Sequence, residues 1–127
     1  MRPILHRKAP IEVWRPGVST RMNNSALNGA HALCIFEQWC LPGTGAPLHW
    51  HEVEEVLSVM SGTMEVRLGG AVFVLNAGES VIVPARVAHN FRNIGDDELH
   101  VQAILAAPFF EAWSSPGGVR SVRWTRG

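Results

Sequence analysis

The stretch that decides the reading is GTGAPLHWHEVEEVLSVMSG, residues 43–62. His49 and His51 occupy alternate positions. Alternate residues of an extended strand point to one side, so the two imidazoles share a face while Trp50 takes the other. Glu55 follows four residues after His51. Three good metal ligands are thus crowded into a segment otherwise made of apolar and turn residues, and a metal site would need a further ligand from elsewhere.

Working outward, strand patterning continues on both sides. In TMEVRLGG (63–70), Met64, Val66 and Leu68 fall on one side, and Glu65 and Arg67 on the other. In ELHVQAIL (98–105), Leu99, Val101, Ala103 and Leu105 oppose His100 and Gln102. AHALCIFEQWC (30–40), EEVLSVMSG (54–62), AVFVLNAG (71–78) and ESVIVPA (79–85) add further short apolar runs. Between them lie the turn signals LPGTGAP, SGT, GGA, NAGE and NIGDDE. Breaks at roughly 8 to 12 residues predict an all-β sandwich or barrel rather than βαβ units.

Bulk properties exclude several classes. At 127 residues, the length suits one domain with its own core. Eleven basic residues balance eleven acidic ones, so no net field draws the chain to nucleic acid or an anionic membrane. The apolar runs are too short to span a membrane, and the first residues lack the pattern of a secretory signal. Cys34 and Cys40 are six apart in one expected strand, roughly 20 Å at about 3.3 Å per residue, too far to bridge each other. Two unpaired thiols without a local basic partner are expected as packing residues in a reducing cytoplasm.

A second stretch supplies the missing ligand. GESVIVPARVAHNFRN, residues 78–93, reads G-x5-P-x4-H-x3-N through Gly78, Pro84, His89 and Asn93. The first stretch reads G-x5-H-x-H-x3-E-x6-G through Gly43, His49, His51, Glu55 and Gly62. Together they resemble the two signature motifs of the cupin superfamily, and the chain looks like a small single-domain member. The resemblance covers residues 43–93 by motif and most of 28–106 by strand pattern. It implies a double-stranded β-helix, a jelly-roll-like barrel over residues 28–106. Residues 1–27 would form an N-terminal segment, and 107–127 a tail docked on the barrel or on a partner subunit.

The resemblance further implies a metal site made of His49, His51, Glu55 and His89, with His89 arriving from a strand across the barrel. Such a set suits one divalent Mn, Fe, Co, Ni, Cu or Zn ion and leaves open positions for water or substrate. One position departs from the pattern: Arg86 stands where the second motif usually has glycine. Either the turn there needs no positive φ, or the guanidinium sits near the mouth of the barrel as an anion ligand.

Other residues receive plainer readings. Glu52 and Glu54 are expected as solvated turn carboxylates, with an alternate-ligand or second-shell role as the rival. His31 and His100 fall outside both motifs, and His100 is expected to point outward or to an interface. Phe91, Leu57 and Val59 are expected to line the pocket. Trp39 and Trp50 read as packing or interface residues. Trp14 and FFEAW (109–113) lie outside the barrel motifs, so the barrel interior is not obviously their home; a homodimer covering them is expected, with a tail folded over its own barrel as the alternative.

Fold does not dictate chemistry, and cupins include dioxygenases, isomerases, epimerases, decarboxylases, lyases, storage proteins and sensory domains. The resemblance points first to a metal-dependent enzyme acting on a small oxygen-rich molecule such as a keto acid, sugar derivative or phenolic. The alternative is a non-catalytic small-molecule-binding or sensing module.

Overall fold

Period-two alternation becomes strand almost throughout the computed structural model, which describes residues 1–126. In chain order the strands are β1 (Ile11–Arg15), β2 (Val18–Asn24), β3 (Cys34–Cys40), β4 (Gly45–Trp50), β5 (Glu55–Ser61) and β6 (Thr63–Leu68). They continue as β7 (Ala71–Asn76), β8 (Ser80–Val83), β9 (His89–Asn93), β10 (Leu99–Leu105), β11 (Phe110–Ser114) and β12 (Arg120–Arg123). Two short 3-10 turns, His6–Lys8 and Ala26–Asn28, complete the described elements. No helix among the described residues is long and apolar enough to cross a membrane.

The strands form two six-stranded sheets, ordered β1-β2-β3-β10-β5-β8 and β12-β11-β4-β9-β6-β7. Every pairing is antiparallel. The expected jelly-roll-like barrel is therefore present. The alternating faces meet inside it: Leu99, Val101, Ala103 and Leu105 of β10 are all buried, as are Met64 and Val66 of β6. Each fully buried side chain of this size contributes roughly 1.5–3 kcal/mol. Cys34 and Cys40 cap the two ends of β3, buried and unpaired. Burial pushes their thiols up to about 12 and about 11, so both act as packing groups and not as nucleophiles.

Two glycines are sterically required. Gly45 pairs with Arg92 across the β4–β9 ladder, and a Cβ there would lie 2.0 Å from the Phe91 carbonyl oxygen. Gly62, at the β5–β6 turn, has φ +92°, and a Cβ would come within 3.1 Å of the Leu99 Cα.

The Arg86 turn differs from expectation. Arg86 itself adopts φ 67°, the left-handed conformation that the missing glycine would take readily. Its amide donates to the His51 carbonyl at 2.7 Å, and its Nε donates to Glu52 Oε2 at 3.0 Å. The turn keeps its shape, and those two hydrogen bonds offset part of the strain.

The ends of the chain join the two sheets. β1 and β2 extend the first sheet, while β11 and β12 extend the second beside β4. Trp14 packs against Phe36, Phe110 and Trp124, with ring centroids 5.6, 4.9 and 5.5 Å away. The aromatic groups of both ends thus close over the mouth of their own barrel, not over its outer surface.

Candidate metal centre

β4 carries His49, and His51 follows one residue beyond its end. Glu55 opens β5, on the facing sheet. His89 opens β9, directly opposite His49 in the β4–β9 ladder. This corrects the expected layout. His89 comes from the strand adjacent to β4, and Glu55 is the ligand that reaches across the barrel. The turn through residues 52–54 lets the two short motifs meet, because it carries the chain from one sheet to the other.

His49, His51, Glu55 and His89 offer ligand atoms that all lie within 4.8 Å of one another. His51, Glu55 and His89 are buried; His49 is partly exposed toward the cavity. Each imidazole is fixed from behind. The Nδ1 atoms of His49, His51 and His89 approach the carbonyls of Pro47, Glu111 and Val87 at 2.7, 2.7 and 2.9 Å. A carbonyl only accepts, so these contacts assign the proton to Nδ1 and leave the Nε2 lone pair as the ligand atom.

That assignment tests whether a cation fits. His89 Nε2 lies 3.0 Å, and His51 Nε2 3.5 Å, from Glu55 Oε1. His51 Nε2 is buried and without a hydrogen-bond partner. Lone pairs facing a carboxylate at this range require positive charge between them, either a proton or a metal ion. Ligand atoms about 2.1 Å from one ion and at right angles are about 3.0 Å apart. The donor set and its spacing fit a divalent transition ion.

Electrostatics keep His49 and Glu55 in their ligand forms but favour a proton on His51. Burial, assisted by neighbouring His89 and His51, lowers His49 to about 4. Burial opposes the charge on Glu55, but the close approach of His51 and His89 prevails and holds it at about 2. Burial also opposes charge on His51, yet the Glu55 contact raises it above its ordinary value.

Above the four residues opens a cavity of about 230 Å³. Its walls include Trp14, Phe36, Leu57, Phe91 and Phe110, with His49, Glu55 and His89 at one side. Phe91 and Leu57 stand as expected, whereas Val59 is 1% exposed in the core and does not line this cavity. Glu52 pairs with Arg86 at the surface, so the guanidinium of Arg86 already has a carboxylate. His31 is exposed. His100 Nε2 donates to Glu37 Oε1 at 2.8 Å and its ring stacks on Trp39, while Trp50 stacks on Trp113. These four lie outside the centre. Trp14, Arg15, Gln38, Phe110 and Arg123 also line the cavity, and no motif in the sequence marks them.

A two-sheet barrel with two histidines on one strand, a third on its neighbour and a carboxylate opposite defines a class of small barrel proteins. Residues 39–105 match the sequence profile of the cupin domain, and the chain belongs to the cupin family. It is 29% identical over 117 residues to auxin-binding protein 1 of Arabidopsis thaliana, covering 80% of this chain and 59% of that protein. It is 40% identical over 80 residues to polyketide synthase CurC of Streptomyces cyaneus, covering 62% and 49%. The chain thus spans about half the length of these curated relatives. Among solved structures, the polyketide cyclase RemF from Streptomyces resistomycificus superposes with a TM-score of 0.70 at 22% identity, over 83% of this chain and 78% of that one.

Proposed function

We propose that this cupin is a metal-dependent enzyme acting on a small oxygenated molecule, with the phenolic class favoured over sugars and simple keto acids. The carrying observation is the convergence of three carbonyl-anchored histidines and Glu55 at the side of a largely apolar cavity. Aromatic walls suit a flat ring better than a polyhydroxylated one, which would leave hydroxyls unpaired. Similarity to proteins named polyketide synthase and polyketide cyclase supports the same direction.

His49, His51, Glu55 and His89 would hold one divalent ion, which supplies Lewis acidity, or redox chemistry if the ion is redox-active. The chain's own part is to fix the three rings, keep Glu55 ionised, and surround the substrate with apolar walls that exclude water. Beyond the ligand set, the only titratable groups among the described cavity-lining residues are Arg15 and Arg123. No further carboxylate or histidine stands ready as a separate general base there.

That same shortage favours a second reading, a non-catalytic binding module, and the similarity to a protein named for auxin binding points the same way. One experiment separates them. Metal-stripped protein is reloaded with Mn, Fe, Co, Ni, Cu or Zn and screened for turnover of oxygenated aromatics, keto acids and sugar acids. Turnover with one metal, lost in His49→Ala, supports the enzyme. Tight binding without turnover for every metal supports the module.

We also propose a homodimer working in a reducing, cytoplasmic compartment. The two free buried thiols suit such a compartment. The edge strand β7 exposes Val72 and Val74 on one face and Phe73 on the other, and its free edge is one that a second copy would cover. Light scattering tests assembly: a mass of about twice 13.9 kDa supports the dimer.

A further inference from the structure

Arg15, the last residue of β1, lines the cavity beside the metal ligands and is half-buried. A guanidinium carries five N–H donors and does not lose its proton in proteins. Only one contact satisfies it: Nη1 donates to the Gly45 carbonyl at 2.8 Å. Among the described residues it has no carboxylate partner. The other cation of the cavity is better provided for. Arg123 has Glu12 at 3.6 Å and lies over the Trp14 ring, 4.1 Å from its centroid. Glu12 is further engaged by the Trp124 indole N–H at 3.0 Å.

Of the two guanidinium groups that line the cavity, only Arg123 has a carboxylate within ion-pair distance, and Glu55 is engaged by His51 and His89, so Arg15 is the cation left without a partner. Burial already pushes the Arg15 guanidinium below its ordinary value, and nearby Arg123 adds to that effect. A second unused donor adjoins it. Trp14, the preceding residue, also lines the cavity, and its buried indole Nε1–H has no hydrogen-bond partner. Buried cations and donors that the fold leaves unmatched are costly unless a ligand meets them.

We propose that the cavity is built for a small aromatic carboxylate, its anionic group met by the Arg15 guanidinium and its ring packed among Trp14, Phe36, Phe91 and Phe110. A planar fork binds a carboxylate with two parallel hydrogen bonds, which an amide cannot match. The size agrees. A dry cavity of about 150 Å³ accepts benzene, so the volume here suits one substituted ring. This inference rests on the proposed function, since it names the class of molecule that the same cavity accepts.

The test is calorimetric titration of benzoate, salicylate and phenylacetate, each against its amide, into metal-free protein and into protein loaded with nickel. At least one acid binds about tenfold more tightly than its amide in both forms. Arg15→Met abolishes that preference without changing nickel content, and Arg15→Lys restores part of it. Arg15→Gln replaces the methionine variant should the latter fail to fold. Equal affinity for every acid and its amide overturns the inference, as does a preference that survives loss of the guanidinium. Failure of the proposed metal function shows separately, as absent nickel uptake, and leaves the comparison in metal-free protein intact.

Discussion

His51 and Glu111, 60 residues apart in sequence, meet at 2.7 Å, the ring Nδ1 donating to the main-chain carbonyl. The C-terminal strand β11 is therefore part of the candidate metal centre although it supplies no ligand. Groups that orient a metal-bound histidine typically influence affinity 10- to 100-fold. A proline at Ala112 disrupts the β11 ladder and should weaken nickel or zinc affinity by about that factor. Titration followed by colorimetric metal analysis measures it, with circular dichroism confirming that the barrel persists. Unchanged affinity would show that the carbonyl of Glu111 is dispensable.

The ligands themselves give a sharper outcome. Purified protein should carry about one divalent ion per chain, and His49→Ala, His51→Ala or His89→Ala should abolish stoichiometric loading. Glu55→Gln should weaken binding less, because its amide oxygen still coordinates while the charge is lost. Elemental analysis of the four variants decides the order.

Much of this centre is legible in the sequence, for identifiable reasons. Strand alternation alone puts His49 and His51 on one face, and motif spacing brings in Glu55 and His89. The buried faces of β6 and β10 follow from the same period of two. Contacts between distant segments are not legible. Local patterning does not say that β9 lies next to β4, or that Trp14 and Phe110, far apart in sequence, share one cavity. Nor does it reveal the Glu111 contact, because any residue type provides the same backbone carbonyl. Arg86 fails for another cause: a left-handed arginine is tolerated only because surrounding hydrogen bonds compensate, and composition carries no trace of them.

Proton competition should follow the individual histidines. His51 is raised above 6.5 in the metal-free protein, so its proton stabilises the fold at lower pH and that contribution disappears as pH rises through the raised value. Metal capture must displace this proton. Affinity should therefore begin to fall while pH is still above 6.5, earlier than for an unperturbed imidazole. His49, lowered to about 4, stays neutral across this range and joins the competition only near that pH. Competition titrations from pH 8 to pH 5 measure the slope. Affinity that is flat over this interval would sink the coordination set.

The Arg86 turn predicts an order of stability. Arg86→Gly relieves about 1–2 kcal/mol of left-handed strain. It also adds unfolded-state entropy of about 0.4–1 kcal/mol and removes an exposed ion pair worth less than about 1 kcal/mol. Its net effect should lie within about 1 kcal/mol of the parent. Arg86→Val keeps the strain, adds β-branching and loses the pair, so it should be the least stable of the three. Thermal unfolding midpoints give the ranking, and a valine variant as stable as the parent would contradict the left-handed assignment.

Gly45→Ala tests the close approach of β4 and β9. Its methyl has no room beside the Phe91 carbonyl, so the strands must separate at the Gly45–Arg92 end of the ladder that pairs His49 with His89 at its other end. The cost should exceed about 3 kcal/mol, seen in denaturant midpoints, or the variant should fail to fold.

The three carbonyl-anchored imidazoles also bear on how the protein matures. Zinc-finger domains acquire their shape from the ion and collapse without it. Here the rings are oriented by the backbone of a barrel that has its own apolar core, so ligand geometry precedes the ion. Synthesis and metallation become separable events. A newly made chain could finish folding wherever metal is scarce, and later take an ion from whichever donor reaches the cavity. On the proposed metal function, cellular metal supply, more than folding, would then decide which ion the protein carries.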